Sequence, residues 1–484
     1  MNKKTKIVAT VGPASESEEM LLALAKAGVN VFRLNFSHGS HEEHLQRIER
    51  IRKINQEHGF RVAILQDLQG PKIRVGLMEN GNEGVMLHAG QSFTFTNDDI
   101  IGNASRVTTP YKGMFRDVKV GERILMDDGK LEVRVTGVDI EKQEVFTEVV
   151  YGGLLKQKKG VNLPNTAISQ DSVTEKDWED LKFGIAHGVD WIALSFVRTA
   201  DEIIRIKEYI KAQGSHAKVI AKIEKPEAVA NMVSIIEATD GIMVARGDLG
   251  VEMPSEEVPL IQKELVAKSH EAGKPVIVAT QMLESMIDNP RPTRAEVGDV
   301  ANAVLDGADA VMLSGESAAG KYPVLAVETM AKTILQVEQL GDPSVLYFRH
   351  HTRVTLPTYQ SKDRDNDNVI VVGCRLARDL QVQAIIGITS SGYTATRLSH
   401  HRPKATIYIF TSNPVLVTQL SLYWGVEVFP IEALGDYTTG DIVDITKDFL
   451  VKEGKLSAGD KYINMLSVPV LKDNRTNTVR LGNV

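Results

Sequence analysis

The chain has 484 residues, of which 43% are hydrophobic and 25% are charged, and its formal net charge is −7. A chain of this length is too long for one hydrophobic core, so we expect two to four domains of ordinary globular composition. The acidic balance gives no electrostatic footprint for nucleic acid or for an acidic membrane surface, which excludes both as expected partners.

Cys374 is the single cysteine, so the chain cannot form an internal disulfide and has no paired cysteine spacing typical of a metal site. The amino terminus is basic but continues directly into the β-like stretch 7–11, without an apolar segment followed by a cleavage site. Nowhere do about 18 apolar residues follow one another, as a membrane-spanning helix requires. We therefore expect a cytoplasmic protein.

In chain order, the first elements are short apolar runs that suit parallel strands buried on both faces. The eight runs are Lys6–Val11, Val29–Phe36, Arg61–Leu68, Val189–Phe196, Val219–Glu224, Gly241–Asp248, Pro275–Met282 and Ala310–Glu316. Helical periodicity separates them over Ser17–Ala27, Glu42–Glu57, Glu175–His187, Ala200–Ala212 and Glu256–Glu271. Eight β-then-α units predict a (β/α)₈ TIM barrel, and a doubly wound sheet is the alternative.

The third unit is interrupted after Gly70-Pro71, where the hydrophobic pattern changes to alternation, as in residues 92–96 and 131–135. Glycine-containing turns such as 127–130 separate these runs. This pattern predicts that residues 71–168 form a small all-β domain, inserted after the third strand. We expect it to be a β-barrel that acts as a lid. Active sites of TIM barrels lie at the carboxyl ends of the strands, so the insert is placed to close over a site.

The last part of the chain predicts a separate α/β domain over residues 341–484, which leaves 1–70 and 169–340 for the barrel. It includes the polar linker 360–368 and has helical segments between further apolar runs. These runs are Ala384–Thr389, Thr406–Thr411, Val426–Ile431 and Tyr462–Leu466.

Polar residues that core packing does not explain stand at several predicted strand ends. Lys222 and Glu224 alternate with Ile223, so both side chains should point into the barrel mouth. With Asp248 from the next strand, two carboxylates make an oxygen site suited to Mg²⁺ or Mn²⁺. The ammonium beside it is suited to negative charge developing on an oxygen. A buried structural ion pair is the alternative for this trio.

Six long segments carry a more specific signal: Arg33–Gly39, Ile220–Glu224, Met243–Gly250, Ala279–Met286, Asn289–Glu296 and Met312–Ser317. In sequence, order and spacing they resemble the signature of the pyruvate kinase family, and the similarity extends over essentially the whole chain, weakening in the last domain. The resemblance implies a transferase that moves the phosphoryl group of phosphoenolpyruvate to ADP, giving pyruvate and ATP in the last step of glycolysis.

The resemblance also implies roles for individual residues. The lysine that matches Lys222 contacts the phosphoryl group and stabilises the enolate, and the arginine that matches Arg33 binds the transferring phosphoryl group. The carboxylates that match Glu224 and Asp248 hold the divalent ion. These roles suit a reaction whose leaving group is an enolate, because charge must be neutralised at both ends of the transfer.

The substrate carboxylate is implied to lie against the backbone of Gly247 and Asp248 and the hydroxyl of Thr280. Thr280 and Ser314 are candidates for the hydroxyl and water relay that protonates the enolate. Hydroxyls that merely satisfy the strand ends are the alternative for both residues.

Nucleotide binding is implied for Arg74 and Lys159, the latter in the insert segment 158–164, together with Asn35 and His38. A solvated charge run is the alternative for Lys159. For His38 a structural hydrogen-bonding role is favoured over an acid or base role.

The monovalent-cation site departs from the pattern of many relatives, whose K⁺ is bound by groups that match Asn35, Ser37 and Asp67. Their next segment reads Asp-Thr-Lys-Gly-Pro-Glu, whereas residues 67–72 here read Asp-Leu-Gln-Gly-Pro-Lys. The ammonium of Lys72 would repel a second cation in the same pocket. The chain thus resembles the potassium-independent branch, and the alternative is a Lys72 that faces solvent while K⁺ still binds.

An effector site is implied in the last domain, where a hydroxyl-rich turn opens a helix and resembles the loop that binds a sugar phosphate or nucleotide phosphate. Arg397 and Arg402 could add charge, and an ordinary capped helix is the alternative. The final loop 470–477 lacks the glycines of relatives activated by fructose bisphosphate. The phosphate ligands expected are Thr389, Ser390, Ser391, Gly392 and Thr394.

Three further expectations complete this picture. Residues 369–372 favour a strand by propensity, but the family has a helix there, and we follow the family. The family is usually tetrameric, and segment 292–296 resembles one of its subunit contacts. Two other functions compete: a metal-dependent aldolase or lyase on a related barrel, and a non-enzymatic sugar-phosphate sensor that uses only the last domain.

Overall fold

The computed structural model describes residues 3–164, 166–339, 364–432, 438–468 and 475–484. The strands are β1 Lys6–Val11, β2 Val31–Asn35, β3 Ala63–Asp67, β4 Val85–Leu87, β5 Ser92–Thr96, β6 Arg106–Thr108, β7 Arg123–Met126, β8 Leu131–Asp139, β9 Glu144–Tyr151, β10 Gly153–Leu155, β11 Val161–Asn162, β12 Trp191–Leu194, β13 Lys218–Ile223, β14 Gly241–Ala245, β15 Val276–Ala279, β16 Ala310–Leu313, β17 Ala384–Ile388, β18 Thr406–Thr411, β19 Val426–Pro430, β20 Lys461–Leu466 and β21 Thr478–Asn483.

The α-helices are α1 Glu18–Ala27, α2 His41–His58, α3 Met114–Asp117, α4 Glu175–Ala186, α5 Ala200–Ala212, α6 Pro226–Ala230, α7 Met232–Ala238, α8 Arg246–Glu252, α9 Val258–Glu271, α10 Arg294–Asp306, α11 Gly315–Ala318, α12 Pro323–Gln339, α13 Arg364–Asp379, α14 Tyr393–His400, α15 Pro414–Gln419 and α16 Thr439–Lys452. Within the described ranges, no helix combines the length and the apolar character that crossing a membrane would require.

Eight parallel strands close into a barrel in the order β1-β16-β15-β14-β13-β12-β3-β2. Their Val, Ile, Leu and Ala side chains are almost entirely buried, because one face packs inside the barrel and the other against the surrounding helices. The predicted TIM barrel is confirmed, and the doubly wound alternative is wrong because the sheet has no open edge.

Several strands end earlier than the apolar runs predict. The run Gly241–Asp248 leaves the sheet after Ala245, and Asp248 lies in the first turn of α8. The run Pro275–Met282 ends at Ala279, because Thr280 and Gln281 have φ angles of 69° and 54°, which no β-strand tolerates. Polar side chains at the barrel mouth are thus presented by turns and helix starts that directly follow the strands.

The insert has its own hydrophobic core. Its strands form a six-stranded sheet in the order β11-β7-β8-β9-β5-β6 and a two-stranded sheet of β10 and β4, around buried residues that include Phe93, Phe95, Ile124 and Val133. At its entrance, Gly70 has a φ of 68°, and a Cβ atom there would lie 2.8 Å from the Phe196 ring. Only glycine therefore fits where the chain leaves the barrel.

The last domain is a five-stranded sheet in the order β19-β18-β17-β20-β21, with helices packed on it. Residues 369–372 lie in α13, which confirms the helix expected from the family. The antiparallel edge strand β21 was not predicted, because its sequence mixes polar residues and glycine on a largely exposed edge. The linker residues 360–363 and the loop residues 470–474 lie outside the described ranges.

The base of the barrel packs directly on the last domain. The indole nitrogen of the fully buried Trp191, on β12, donates to the Gln419 carbonyl at 3.1 Å. The Gln419 side-chain amide in turn donates to the carbonyls of Asp190 and His216, at 3.2 and 2.9 Å. One apolar cluster runs from the barrel interior into the last domain, so the two share a continuous core.

Trp191→Phe removes the indole donor and leaves the Gln419 carbonyl buried without it. We expect the free energy of unfolding to fall by about 1–3 kcal/mol, measured by urea denaturation. Trp178→Phe is the matched control, because Trp178 is only partly buried and packs edge-on against Tyr209 on the outer helices. A loss no larger than that of the control would contradict the structural role assigned to this hydrogen bond.

Candidate active site

Lys222 lies between two buried carboxylates at the mouth of the barrel. Its ammonium is 3.1 Å from Asp67 Oδ1 and 3.0 Å from Glu224 Oε1, and it donates to Ser195 Oγ at 2.6 Å. Arg33 Nε donates to the other oxygen of Asp67 at 2.6 Å. Residues from β2, β3 and β13 and from the end of β12 are thus joined in one charged network.

The charge states of this network follow from burial and pairing. Burial alone would lower the pKa of Lys222, but the Asp67 and Glu224 carboxylates raise it above its ordinary value. Burial would raise the pKa of Asp67, but Arg33 and Lys222 together outweigh burial and lower it. Lys222 therefore remains a cation and Asp67 an anion at neutral pH, and Asp67 fixes both cations in place.

Glu224 and Asp248 are the two carboxylates expected to bind a divalent ion. Burial raises the pKa of Glu224, and the neighbouring Asp248 carboxylate adds to the rise. Glu224 Oε2 accepts from the Phe196 backbone amide at 2.7 Å, whereas the buried Oε1 makes no contact of hydrogen-bond geometry in the described part of the chain. This oxygen is ion-paired with Lys222 but accepts no hydrogen bond from the described residues, and beside a second carboxylate it fits the oxygen donors that Mg²⁺ or Mn²⁺ takes.

Among the described residues, no three His, Cys, Asp or Glu side chains are grouped so that they could hold a metal ion by themselves. Two protein carboxylates with the other positions left to water and substrate oxygens is how Mg²⁺ is usually bound at phosphate-transferring sites. The residues present therefore fit such an ion.

Lys72 reaches Asp248 at the mouth of the barrel. Its ammonium lies 3.3 Å from Asp248 Oδ1, and its side chain is 26% exposed. The side chain is thus partly buried and ion-paired with Asp248. The predicted partners of the monovalent-cation pocket lie on neighbouring strands: Asn35 is in register with Asp67, and Asn35 Oδ1 accepts from the Ser37 amide at 3.1 Å.

Thr280 directly follows β15, and its backbone has a positive φ of 69°, in the left-handed region. Its hydroxyl accepts from the Gly247 amide at 2.7 Å and donates to the Ala279 carbonyl at 2.6 Å. Arg246 donates to the Thr280 carbonyl at 2.7 Å. The expected carboxylate cradle of Gly247, Asp248 and Thr280 is therefore one compact unit, held in a backbone conformation that costs free energy.

Ser314 stands at the end of β16, and its amide donates to Glu316 Oε2 at 2.7 Å. His38 is exposed, and its carbonyl accepts from His44 Nε2 at 2.9 Å. Partial burial lowers the pKa of His38, and Arg74, Arg33 and Lys72 lower it further. A neutral His38 beside three cations fits a hydrogen-bonding role better than that of an acid.

Arg74 and Lys159 lie side by side in the insert. Arg74 Nη1 donates to the Lys158 carbonyl at 3.1 Å, and Arg74 forms a β-bridge with Gly160. Lys159 Nζ is 2.6 Å from Asp127 Oδ1. The ion pair argues against a purely solvated Lys159. A phosphate would have to replace the Asp127 carboxylate to pair with the Lys159 ammonium.

Sequence reasoning missed two hydroxyls at this mouth. Thr10, on β1, accepts from Arg33 Nη1 at 2.9 Å, and Ser195 links Lys222 to the Leu68 carbonyl at 2.7 Å. Both stand at the ends of predicted strands, the first and the fourth, so a search for polar residues at all eight strand ends would have found them.

The hydroxyl-rich turn of the last domain folds on itself. Thr389 Oγ1 accepts from the Gly392 amide at 2.9 Å, and the Thr394 hydroxyl lies 2.7 Å from that of Thr476. Helix α14 begins after Gly392 without a side-chain cap, and the Ser390 carbonyl accepts from Asn413 Nδ2 at 3.3 Å.

The two arginines expected to add charge to this turn have other partners. Arg397 pairs with Asp367 at 3.0 Å, and Arg402 pairs with Asp309 at the base of the barrel, also at 3.0 Å. The expectation that Arg402 serves the turn is therefore wrong, because its charge is used to join the barrel to the last domain.

Comparisons with known proteins agree with this geometry. The family model "Pyruvate kinase, barrel domain" matches residues 2–327, and "Pyruvate kinase, alpha/beta domain" matches residues 367–481. A pyruvate kinase of Geobacillus stearothermophilus is 46% identical over 482 residues, 99% of this chain and 80% of the relative. One of Staphylococcus aureus is 43% identical over the same shares. The crystal structure of a pyruvate kinase from Cryptosporidium parvum superposes with a TM-score of 0.91 at 34% identity, covering 100% of this chain and 96% of that one.

These similarities exclude the two competing functions. A lyase on a related barrel would not share both domain models, and a sensor built on the last domain alone would not share the barrel and its insert. The match in sequence, spanning nearly the whole chain, and the match in fold point to one family of phosphotransferases. The chain belongs to the pyruvate kinase family.

Proposed function

We propose that the residues at the barrel mouth transfer the phosphoryl group of phosphoenolpyruvate to ADP in the following way. The bond between phosphorus and the enol oxygen breaks, a bond from phosphorus to the terminal ADP oxygen forms, and the enolate takes up a proton to become pyruvate. The observation that carries the proposal is the ammonium of Lys222, held charged between Asp67 and Glu224 and linked through Asp67 to Arg33.

Arg33 would bind the transferring phosphoryl group, because a guanidinium presents several donors in a fixed plane. Lys222 would meet the charge that develops on the enol oxygen, since a preorganised cation in a buried site needs no rearrangement during the reaction. Glu224 and Asp248 would hold Mg²⁺ or Mn²⁺, which when bound neutralises phosphate and carboxylate charge.

Thr280 and Ser314 are proposed to relay the proton to the enolate. The Thr280 hydroxyl is already oriented by Gly247 and Ala279, which supports a defined proton position. Arg74, Lys159, Asn35 and His38 are proposed to bind the nucleotide; Lys159 would exchange Asp127 for a phosphate.

Lys222→Met should lower kcat by several orders of magnitude while leaving phosphoenolpyruvate binding nearly unchanged, because the lost interaction belongs to the transition state. A coupled assay of pyruvate formation measures it. Lys218→Met is the matched control, since Lys218 is on the same strand but contacts Tyr423 at the base of the barrel. A loss of less than about tenfold, on the order of 1.4 kcal/mol, rules out the proposed role.

Glu224→Gln and Asp248→Asn should each steeply raise the Mg²⁺ concentration needed for half-maximal activity, because each removes an anionic ligand from a hard cation. Titration of activity with Mg²⁺ gives the value. Glu237→Gln, an exposed change on α7, is the control. An unchanged Mg²⁺ requirement in both variants would mean that the ion binds elsewhere.

Potassium independence is proposed from Lys72, whose fixed charge beside Asp248 would do part of what K⁺ does in relatives. The enzyme should be nearly as active in Na⁺ or tetramethylammonium as in K⁺ at matched ionic strength. Lys72→Glu should cut activity without K⁺, and added K⁺ should restore part of it.

Because Lys72→Glu also sets a carboxylate near Asp248, these assays need saturating Mg²⁺. Lys142→Glu, on the exposed turn between β8 and β9, controls for net charge. Strong K⁺ activation of the unmodified enzyme would refute the proposal.

Allosteric regulation is proposed at the turn 389–394. A sugar monophosphate or AMP should lower the apparent KM for phosphoenolpyruvate, and Ser391→Asp should abolish the response by placing negative charge in the anion pocket. Ser457→Asp, on the exposed far side of the domain, serves as the control. Activation by fructose 1,6-bisphosphate alone would show that the glycine-poor final loop was misinterpreted.

Three broader proposals rest on the family. The domain bounds are taken as 1–70 with 169–340, 71–168 and 341–484, and the location as cytoplasmic. A homotetramer is proposed because Arg294 and Ala295, in the segment that resembles a subunit contact, are exposed in the single chain. Sedimentation equilibrium tests it, and a monomer would overturn it.

A further inference from the structure

Glu252, the last residue of α8, is a carboxylate with no exposed side-chain surface. Its Oε1 lies 2.6 Å from the ammonium of Lys225 and accepts from Asn162 Nδ2 at 2.9 Å. Its Oε2 is buried without a hydrogen bond in the described part of the chain. A buried charge with two partners at one oxygen depends strongly on each of them.

The two partners come from different parts of the molecule. Asn162 belongs to the insert, where β11 pairs with β7, and Lys225 belongs to the barrel. The contact between Asn162 and Glu252 is therefore a polar bond from the insert to the barrel. Because both groups are almost fully buried, the bond is shielded from competition with water.

Helix α8 connects this bond to the proposed metal ligands. Asp248 and Glu252 are four residues apart, one helical turn, and so lie along one face of α8. Lys225 directly follows Glu224 in the chain. The ion pair between Lys225 and Glu252 thus joins the segment that carries Glu224 to the helix that carries Asp248.

The insert contacts α8 at one further point and approaches it closely at another. Lys72 pairs with Asp248 at the start of the helix. A Cβ atom added at Gly129, in the turn between β7 and β8, would lie 3.7 Å from Val251 Cγ1. The insert therefore packs against α8 near both ends of this helix.

We propose that Glu252 is a positioning residue that binds the insert to α8 through Asn162 and, through Lys225, fixes the separation of Glu224 and Asp248. The inference rests on the proposed metal role of those two carboxylates. It assigns to one buried carboxylate both the position of the insert on α8 and the spacing of the ligands, so the two properties should respond differently to changes at its two partners.

The test compares two kinds of variant in the full chain; hydrogen exchange and Mn²⁺ binding are measured without substrate, and kcat is measured separately in the coupled assay. Asn162→Ala removes only the bond to the insert, so hydrogen exchange of β11 and of the turn 127–130 should become at least tenfold faster, and kcat should fall. Its affinity for Mn²⁺, measured by electron paramagnetic resonance of the free ion, should change less than threefold. Asn82→Ala, an exposed change in the insert, should alter none of these.

Glu252→Gln should accelerate the same exchange and also weaken Mn²⁺ binding about tenfold. Because this change leaves Lys225 buried without its anion, the double variant Lys225→Met with Glu252→Gln is measured beside it, and the same loss of Mn²⁺ affinity is expected. If the single variant does not fold, the double variant and Asn162→Ala decide.

Unchanged exchange of the insert in Asn162→Ala overturns the proposed bond, and unchanged Mn²⁺ affinity in the Glu252 variants overturns the spacing role. An equal acceleration of hydrogen exchange in the barrel strands β1 and β16, which lie away from α8, would indicate general destabilisation and would also overturn the inference. If Glu224→Gln and Asp248→Asn leave Mn²⁺ binding intact, the metal proposal itself is wrong, which is a distinguishable result.

Discussion

The buried pairing of Lys222 with Asp67 and Glu224 is the constraint on which the mouth of the barrel depends. A lone ammonium at this depth would lose its proton or its position, because desolvation disfavours the charged form. Two carboxylates offset that penalty, one on β3 and one directly after β13, on either side of β12, and their pairing with Lys222 requires these strands to end at the same level. The closed barrel supplies this alignment, since its parallel strands all present their carboxyl ends to one face.

The barrel, its interruption and the last domain could be predicted because long apolar runs determine them. Runs such as Lys6–Val11 are buried throughout, so their composition reflects packing alone. Strand ends were placed too late wherever the chain turns at once into a helix, as at Arg246, because the next residues still resemble a strand. The edge strand β21 was missed for the opposite reason: exposure frees its residues from a recognisable pattern.

The chemistry of individual residues was accessible where the sequence brings them close, as with Lys222 and Glu224 two positions apart. Partners that meet only through the fold were accessible where the family resemblance named them, as with Gly247 and Thr280, and not elsewhere. Lys72 and Asp248 are 176 residues apart, and Asn162 and Glu252 are 90 apart. The sequence contains no local signal for such pairs, since the residues next to a lysine do not show whether its side chain is exposed or buried against a distant carboxylate.

The positions of the three tryptophans have a practical consequence. Trp191 and Trp424 both lie where the barrel meets the last domain. The Trp424 backbone amide donates to the Asp309 carboxylate, and the Lys4 ammonium lies over the Trp424 ring. Trp178 lies on an outer helix. The insert, 71–168, contains none. Intrinsic tryptophan emission is therefore an optical probe of the base of the barrel, and movement of the insert alone leaves it silent. A fluorescence change upon adding a ligand reports an altered junction between the barrel and the last domain, unless Trp178→Phe removes the change and assigns it to the outer helix.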